Sequence, residues 1–82
     1  MYLNLGRSTV IPTGELVGIF DLDNATWSHR TRAFLERAER EGRVTALGDD
    51  LPRSFVLCGD GRVYLSQLSA GALKSRAEAG MF

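Results

Sequence analysis

The sequence predicts a single small α+β domain over residues 1–82, with elements in the order β-β-β-α-β-β-α and a mostly antiparallel sheet. Three observations carry this. Short apolar runs rich in β-branched residues recur between glycine-containing turns, a central stretch switches to helical period, and a Gly-Asp-Gly turn separates two strand-like runs.

Met1–Leu5 alternates around Tyr2 and Asn4 as a strand does, and Gly6-Arg7-Ser8 supplies a turn into Thr9–Ile11, which Pro12 closes or places at an edge. Leu16–Leu22 (LVGIFDL) reads as a well-buried third strand. Trp27, Thr31, Phe34, Leu35 and Ala38 then fall on one helical face. Asn24 or Thr26 can cap the start and Gly42 can end it, which predicts a helix over 26–41. Arg43–Leu51 is polar and turn-prone. Ser54–Cys58, the turn Gly59-Asp60-Gly61 and Arg62–Ser66 form a hairpin. Ser69 caps a last helix, Ala70–Ala79, ended by Gly80.

Ten basic residues balance ten acidic ones, which excludes a strongly basic module of the histone type and equally an acidic tail. The N-terminus has no charged region ahead of a long apolar stretch, and the apolar runs are short, so the expectation is a soluble cytoplasmic protein without a membrane partner. A chain of 82 residues buries about 60–65% of its unfolded surface, and the lone Cys58 offers no internal disulfide. Self-association is therefore expected from size.

Catalytic constellations are missing. His29 has no second histidine or cysteine at metal spacing. Asp21-Leu22-Asp23 opens like a calcium loop, but Ala25 and Thr26 stand where an oxygen ligand and the turn glycine belong. Gly6-Arg7-Ser8-Thr9-Val10 lacks the closing glycine of a nucleophile elbow. Cys58 ends an apolar strand and reads as a small core residue. The expectation is a non-enzyme with no cofactor, no metal and no small-molecule substrate.

The basic residues are informative by position. Nine of the ten are arginine. On the central helix Arg32–Glu36, Glu36–Arg40, Arg37–Glu41 and Glu39–Arg43 are i,i+4 pairs, predicting an ion-paired, solvated face. Arg7, Arg30, Arg53, Arg62, Lys74 and Arg76 stand outside these pairs. Arg53 follows Pro52 and directly precedes a buried strand, so a rigid element holds it at a surface, for a phosphate or for a salt bridge between subunits. Asp49 and Asp50 beside it repel backbone phosphates.

Together MYLNLG, VIP, ELVGIFDLD, the helix with its Gly-Arg-Val exit, LPRSFVL and RVYLSQLSAGALKSR resemble the RemA/RemB-like extracellular matrix regulatory family over nearly the whole chain. The resemblance implies a DNA-binding transcriptional regulator of bacterial biofilm matrix genes, a fold similar to the LytTR DNA-binding domain, and a closed homo-oligomeric ring whose basic rim meets DNA. On such a rim Arg53, Arg7, Lys74 and Arg76 are the expected DNA-contacting residues. RemA-type members carry a basic residue where this chain has Glu15, and an arginine pair where it has Asp50 and Leu51. Arg53 is matched and Arg76 has a counterpart, so the chain looks more like RemB. The alternative is an oligomeric scaffold that does not itself bind DNA, with Tyr2, Trp27, Tyr64, Met81 and Phe82 buried between subunits or against a partner.

Overall fold

The first turn is tight and built without an ideal residue pair. Arg7 and Ser8 have φ of 53° and 63°, and positive φ at both central positions is what a two-residue type I′ hairpin demands. Left-handed backbone disfavours side chains with a Cβ, so each residue stores about 1–2 kcal/mol of local strain. The Asn4 side-chain oxygen accepts the Gly6 N–H at 2.8 Å on the approach. This turn joins β1 (Tyr2–Gly6) to β2 (Thr9–Pro12). Leu3, Leu5 and Ile11 are buried on the inner face, while Tyr2 and Val10 are exposed on the outer one.

The computed structural model describes residues 2–22 and 28–79. After a 3-10 turn at Thr13–Glu15 come β3 (Leu16–Asp21), α1 (His29–Arg40), β4 (Val44–Ala46), β5 (Ser54–Cys58), β6 (Val63–Ser66) and α2 (Ala70–Ala79). The β1–β2 hairpin is one sheet, and β3-β5-β6-β4 is the other. The chain is thus a small α+β domain with two sheets and two helices. The β5–β6 hairpin pairs Ser54 with Ser66 and Leu57 with Val63.

Two strand expectations fail. The third strand, expected to be well buried, buries only Ile19 and exposes Val17 and Phe20, because it lies at the edge of its sheet. Arg43–Leu51, read as turn, contains β4, which runs parallel to β6 in an otherwise antiparallel sheet. Three residues are too few to show a period. The strand forms because the Val63 N–H donates to the Arg43 carbonyl and the Leu47 N–H to the Leu65 carbonyl, both at 2.9 Å.

At the end of α1, Gly42 at φ 74° sends its N–H to the Glu39 carbonyl, and Arg43 sends its own to Ala38. That pair of bonds is the Schellman closure expected of a C′ glycine. The N-cap is Ser28, whose side chain makes no capping bond. The expected caps Asn24 and Thr26, together with Trp27, Gly80, Met81 and Phe82, lie outside the described residues.

The larger sheet is apolar on both faces. Ile19, Val56 and Cys58 join Leu3, Leu5, Ile11, Ala70 and Leu73 beneath the hairpin and α2. Phe55 and Val63 meet Ala38 on the other face, with Phe34 and Leu35 of α1 packed over them. Two serines interrupt this core, each fully buried. The Ser54 hydroxyl donates to the Leu68 carbonyl at 2.7 Å. The Ser66 hydroxyl donates to the Leu5 carbonyl at 2.8 Å and accepts the Leu68 N–H at 3.1 Å.

Candidate nucleic-acid interface

Arg53 sits where three elements meet. Its N–H donates to the Ser66 carbonyl at 2.8 Å, and its carbonyl accepts the Leu22 N–H at 3.1 Å. The backbone is thereby fixed between the ends of β3 and β6. The side chain stays exposed, and its guanidinium makes no ion pair among the described residues.

The same end of the sheet holds Arg7. The Ser66 hydroxyl bonds Leu5, two residues before Arg7, while the Ser66 carbonyl bonds Arg53. One serine therefore links the Arg53 backbone to β1 at Leu5, two residues before Arg7, although these lie far apart in sequence. Arg76 approaches the same hairpin from α2, donating from Nη1 to the Asn4 carbonyl at 3.3 Å. The acidic loop is tied here as well, because Gln67 Nε2 donates to the Asp50 carbonyl at 3.4 Å. Asp49 and Asp50 are both exposed. Asp21, opposite Ser54 in the β3–β5 register, belongs to this end as well, so three arginines and three carboxylates surround it and their formal charges balance.

No family model matches the chain. Extracellular matrix regulatory protein B of Bacillus subtilis (strain 168) is 35% identical over 78 residues, covering 95% of this chain and 91% of that protein. The chain belongs to the RemA/RemB-like extracellular matrix regulatory family.

In this RemA/RemB-like chain, Lys74 stands apart from the arginines. It is two residues from Arg76, so it projects about 200° away around α2, beside Leu16–Ile19 and Glu78. Glu15 is also remote. Its carbonyl accepts the Gly59 N–H at 2.8 Å, placing it at the β5–β6 turn, at the opposite end of β5 from Arg53.

That opposite end has a different electrostatic character. Arg62 pairs with Asp60 at 3.2 Å, and its guanidinium pKa is raised by a hydrogen bond with Tyr64 and then by Asp60. Arg43 pairs with Glu41 at 3.1 Å, donates to the Gly61 carbonyl at 2.6 Å and stacks 5.8 Å from the Phe34 ring centre. Burial pushes the Cys58 thiol up, Asp60 and Glu15 add to this, and Arg62 opposes it. Cys58 is accordingly a protonated core residue.

The four expected i,i+4 pairs on α1 do not close. Among the described residues, Arg32, Arg37 and Arg40 make no ion pair, and Arg43 turns to Glu41 rather than Glu39. Exposed side chains at this spacing lose more freedom by pairing than water-screened attraction returns. Ser54 and Ser66, which position the site, were missed by sequence reasoning. The available signal was a serine at the matching end of each hairpin strand.

Among the described residues, no helix is long and apolar enough to cross a membrane.

Proposed function

We propose that the protein is a transcriptional regulator of extracellular matrix genes that binds DNA as a ring-shaped homo-oligomer, acting in the cytoplasm without catalysis. The observation that carries this is Arg53, whose guanidinium makes no ion pair among the described residues and whose backbone is held from both sides. The relative's name, an extracellular matrix regulatory protein, supports the regulatory part. Arg7 and Arg76 extend the contact, and Lys74 adds an outlying one. A net charge of zero is compatible with DNA binding when several protomers repeat a weak contact along one rim. Glu15, Asp50 and Leu51 align the chain with the RemB branch, and the fold is read as LytTR-like.

Fluorescence anisotropy of a labelled duplex, titrated at rising salt, tests the reading. Binding whose log–log salt slope reaches several units is expected. Arg53→Ala should weaken it several-fold and leave the assembly mass unchanged. The exposed Asp49 and Asp50 beside Arg53 favour a second reading, an oligomeric scaffold without DNA contact. Absence of binding by folded protein at about 50 mM salt would select it.

A further inference from the structure

The larger sheet ends, among the described residues, in two edges that no further strand pairs, Leu16–Phe20 of β3 and Val44–Ala46 of β4. Among the described residues, β3 hydrogen-bonds β5 alone and β4 hydrogen-bonds β6 alone. Open edges are normally blunted by charge, proline or a covering segment. β3 has no proline and its one charge is Asp21 at its end, while Val17 and Phe20 are 61% and 39% exposed. The irregularity in β3 is confined to Leu16–Gly18. Beyond it the strand is regular, and the Phe20 ring lies over Gly18, where an added Cβ would come within 2.7 Å of it.

Charge separates the two edges. Around α1, Arg30 and Arg37 lie on one flank and Glu36 and Glu39 on the opposite one, at 100° per residue. Arg30 lines a groove of about 230 Å³ with Phe20, Phe55 and Phe34, so the basic flank overhangs the β3 side. The opposite flank, with Glu36 and Glu39 and with Arg32 between them in angle, lies toward the β4 side and carries a net charge of −1, and Arg40 is on the crest. None of these groups is ion-paired within the described chain.

Resting on the assembly reading above, we infer that the sheet continues between copies, the β3 edge of one protomer receiving the β4 edge of the next. This sets Arg30 and Arg37 against Glu36 and Glu39 of the neighbouring copy. Directions agree: β3 is antiparallel to β5, β5 to β6, and β4 is parallel to β6, so β3 and β4 point the same way. A head-to-tail junction therefore repeats the parallel geometry already present between β4 and β6. Joining two β3 edges about a two-fold axis would instead bring the two basic flanks together. A head-to-tail contact between different faces is the kind that closes into rings.

Light scattering after size exclusion tests this with two charge reversals, Arg30→Glu/Arg37→Glu and Glu36→Arg/Glu39→Arg, and with Val17→Lys at the edge. Circular dichroism confirms that each is folded. Each variant alone should fall to the 9.0 kDa of a single chain. A one-to-one mixture of the two charge reversals should reassemble, because each supplies the flank the other needs. Wild-type protein that is itself monomeric sinks the assembly reading and this inference with it. An assembled wild type whose mass ignores the reversals overturns this inference alone. Dissociation of both variants without recovery on mixing overturns the pairing of the flanks.

Discussion

The two ends of the β5–β6 hairpin use arginine in opposite ways. At the Asp60 turn, Arg62 and Arg43 each have a carboxylate, and Arg43 also has a carbonyl and a ring. At the Ser54–Ser66 end, Arg53 has its backbone bonded on both sides and, among the described residues, no ion pair on its guanidinium. The first arrangement locks loops and a helix end together. The second fixes the backbone beneath an exposed cation while leaving its charge for something else. Position on the sheet, more than residue type, separates a structural arginine from a candidate contact.

Ser66→Ala strikes the free-arginine end hardest. The Leu5 carbonyl and the Leu68 N–H lose their partner in a buried place, for a loss of about 2–3 kcal/mol in urea unfolding. Loosening of the Arg7 turn should accompany it, read as faster amide exchange at Gly6. A loss below about 0.5 kcal/mol, the range of ordinary surface changes, would show that water replaces the serine.

Arg43→Ala against Arg53→Ala puts the contrast directly. The first removes a part-buried hydrogen bond, an ion pair and a ring contact, and should lower stability by about 1–2 kcal/mol with DNA affinity unaltered. The second should stay within about 0.5 kcal/mol in stability and act on DNA binding. Equal effects of the two on stability would erase the distinction.

Ser8→Gly sharpens it by relieving left-handed backbone without touching Arg7. Greater freedom of glycine in the unfolded chain offsets part of the relief, so a gain of about 0.5–1 kcal/mol is expected. Thermal or urea midpoints will register it.

The smallest effect concerns Cys58. Its folded pKa lies above the ordinary 9.0, so the native state holds the thiol proton more tightly than the unfolded chain does. Stability is unaffected by this group below pH 9, falls as pH rises from there toward the raised value, and levels off beyond it. Cys58→Ala should remove that component from the stability–pH curve, and a curve unchanged by the substitution would show that other groups govern it.

Much of this was legible in advance, for local reasons. Gly42 marked the end of α1 because a C′ residue must turn left-handed, and Gly59-Asp60-Gly61 marked a hairpin because strands of period two flanked it. Pro52 before an apolar strand singled out Arg53. β4 escaped because its strand character comes from a partner, β6, rather than from its own three residues. The ion pairs on α1 were over-read, since spacing brings backbone positions near without fixing side chains in water. Ser54 and Ser66 looked like ordinary strand-end polar residues, and their burial depends on what the rest of the chain lays over them. The link between Arg53 and the strand that leads to Arg7 has no local signature, because it passes through Ser66 and Leu5.

That last link has a consequence for the order in which the chain is made. Leu5 leaves the ribosome 61 residues ahead of the serine that satisfies its carbonyl. The β1–β2 hairpin can close early, but an isolated two-stranded hairpin is marginal in water, and its docking surface exists only once β6 has been synthesised. The arginine end is therefore assembled late and all at once, through a contact of long sequence separation. A nascent chain halted before β6 carries Arg7 and Arg53 without the Ser66 link between their segments, and the surface proposed to meet DNA is complete only once α2 has followed with Arg76.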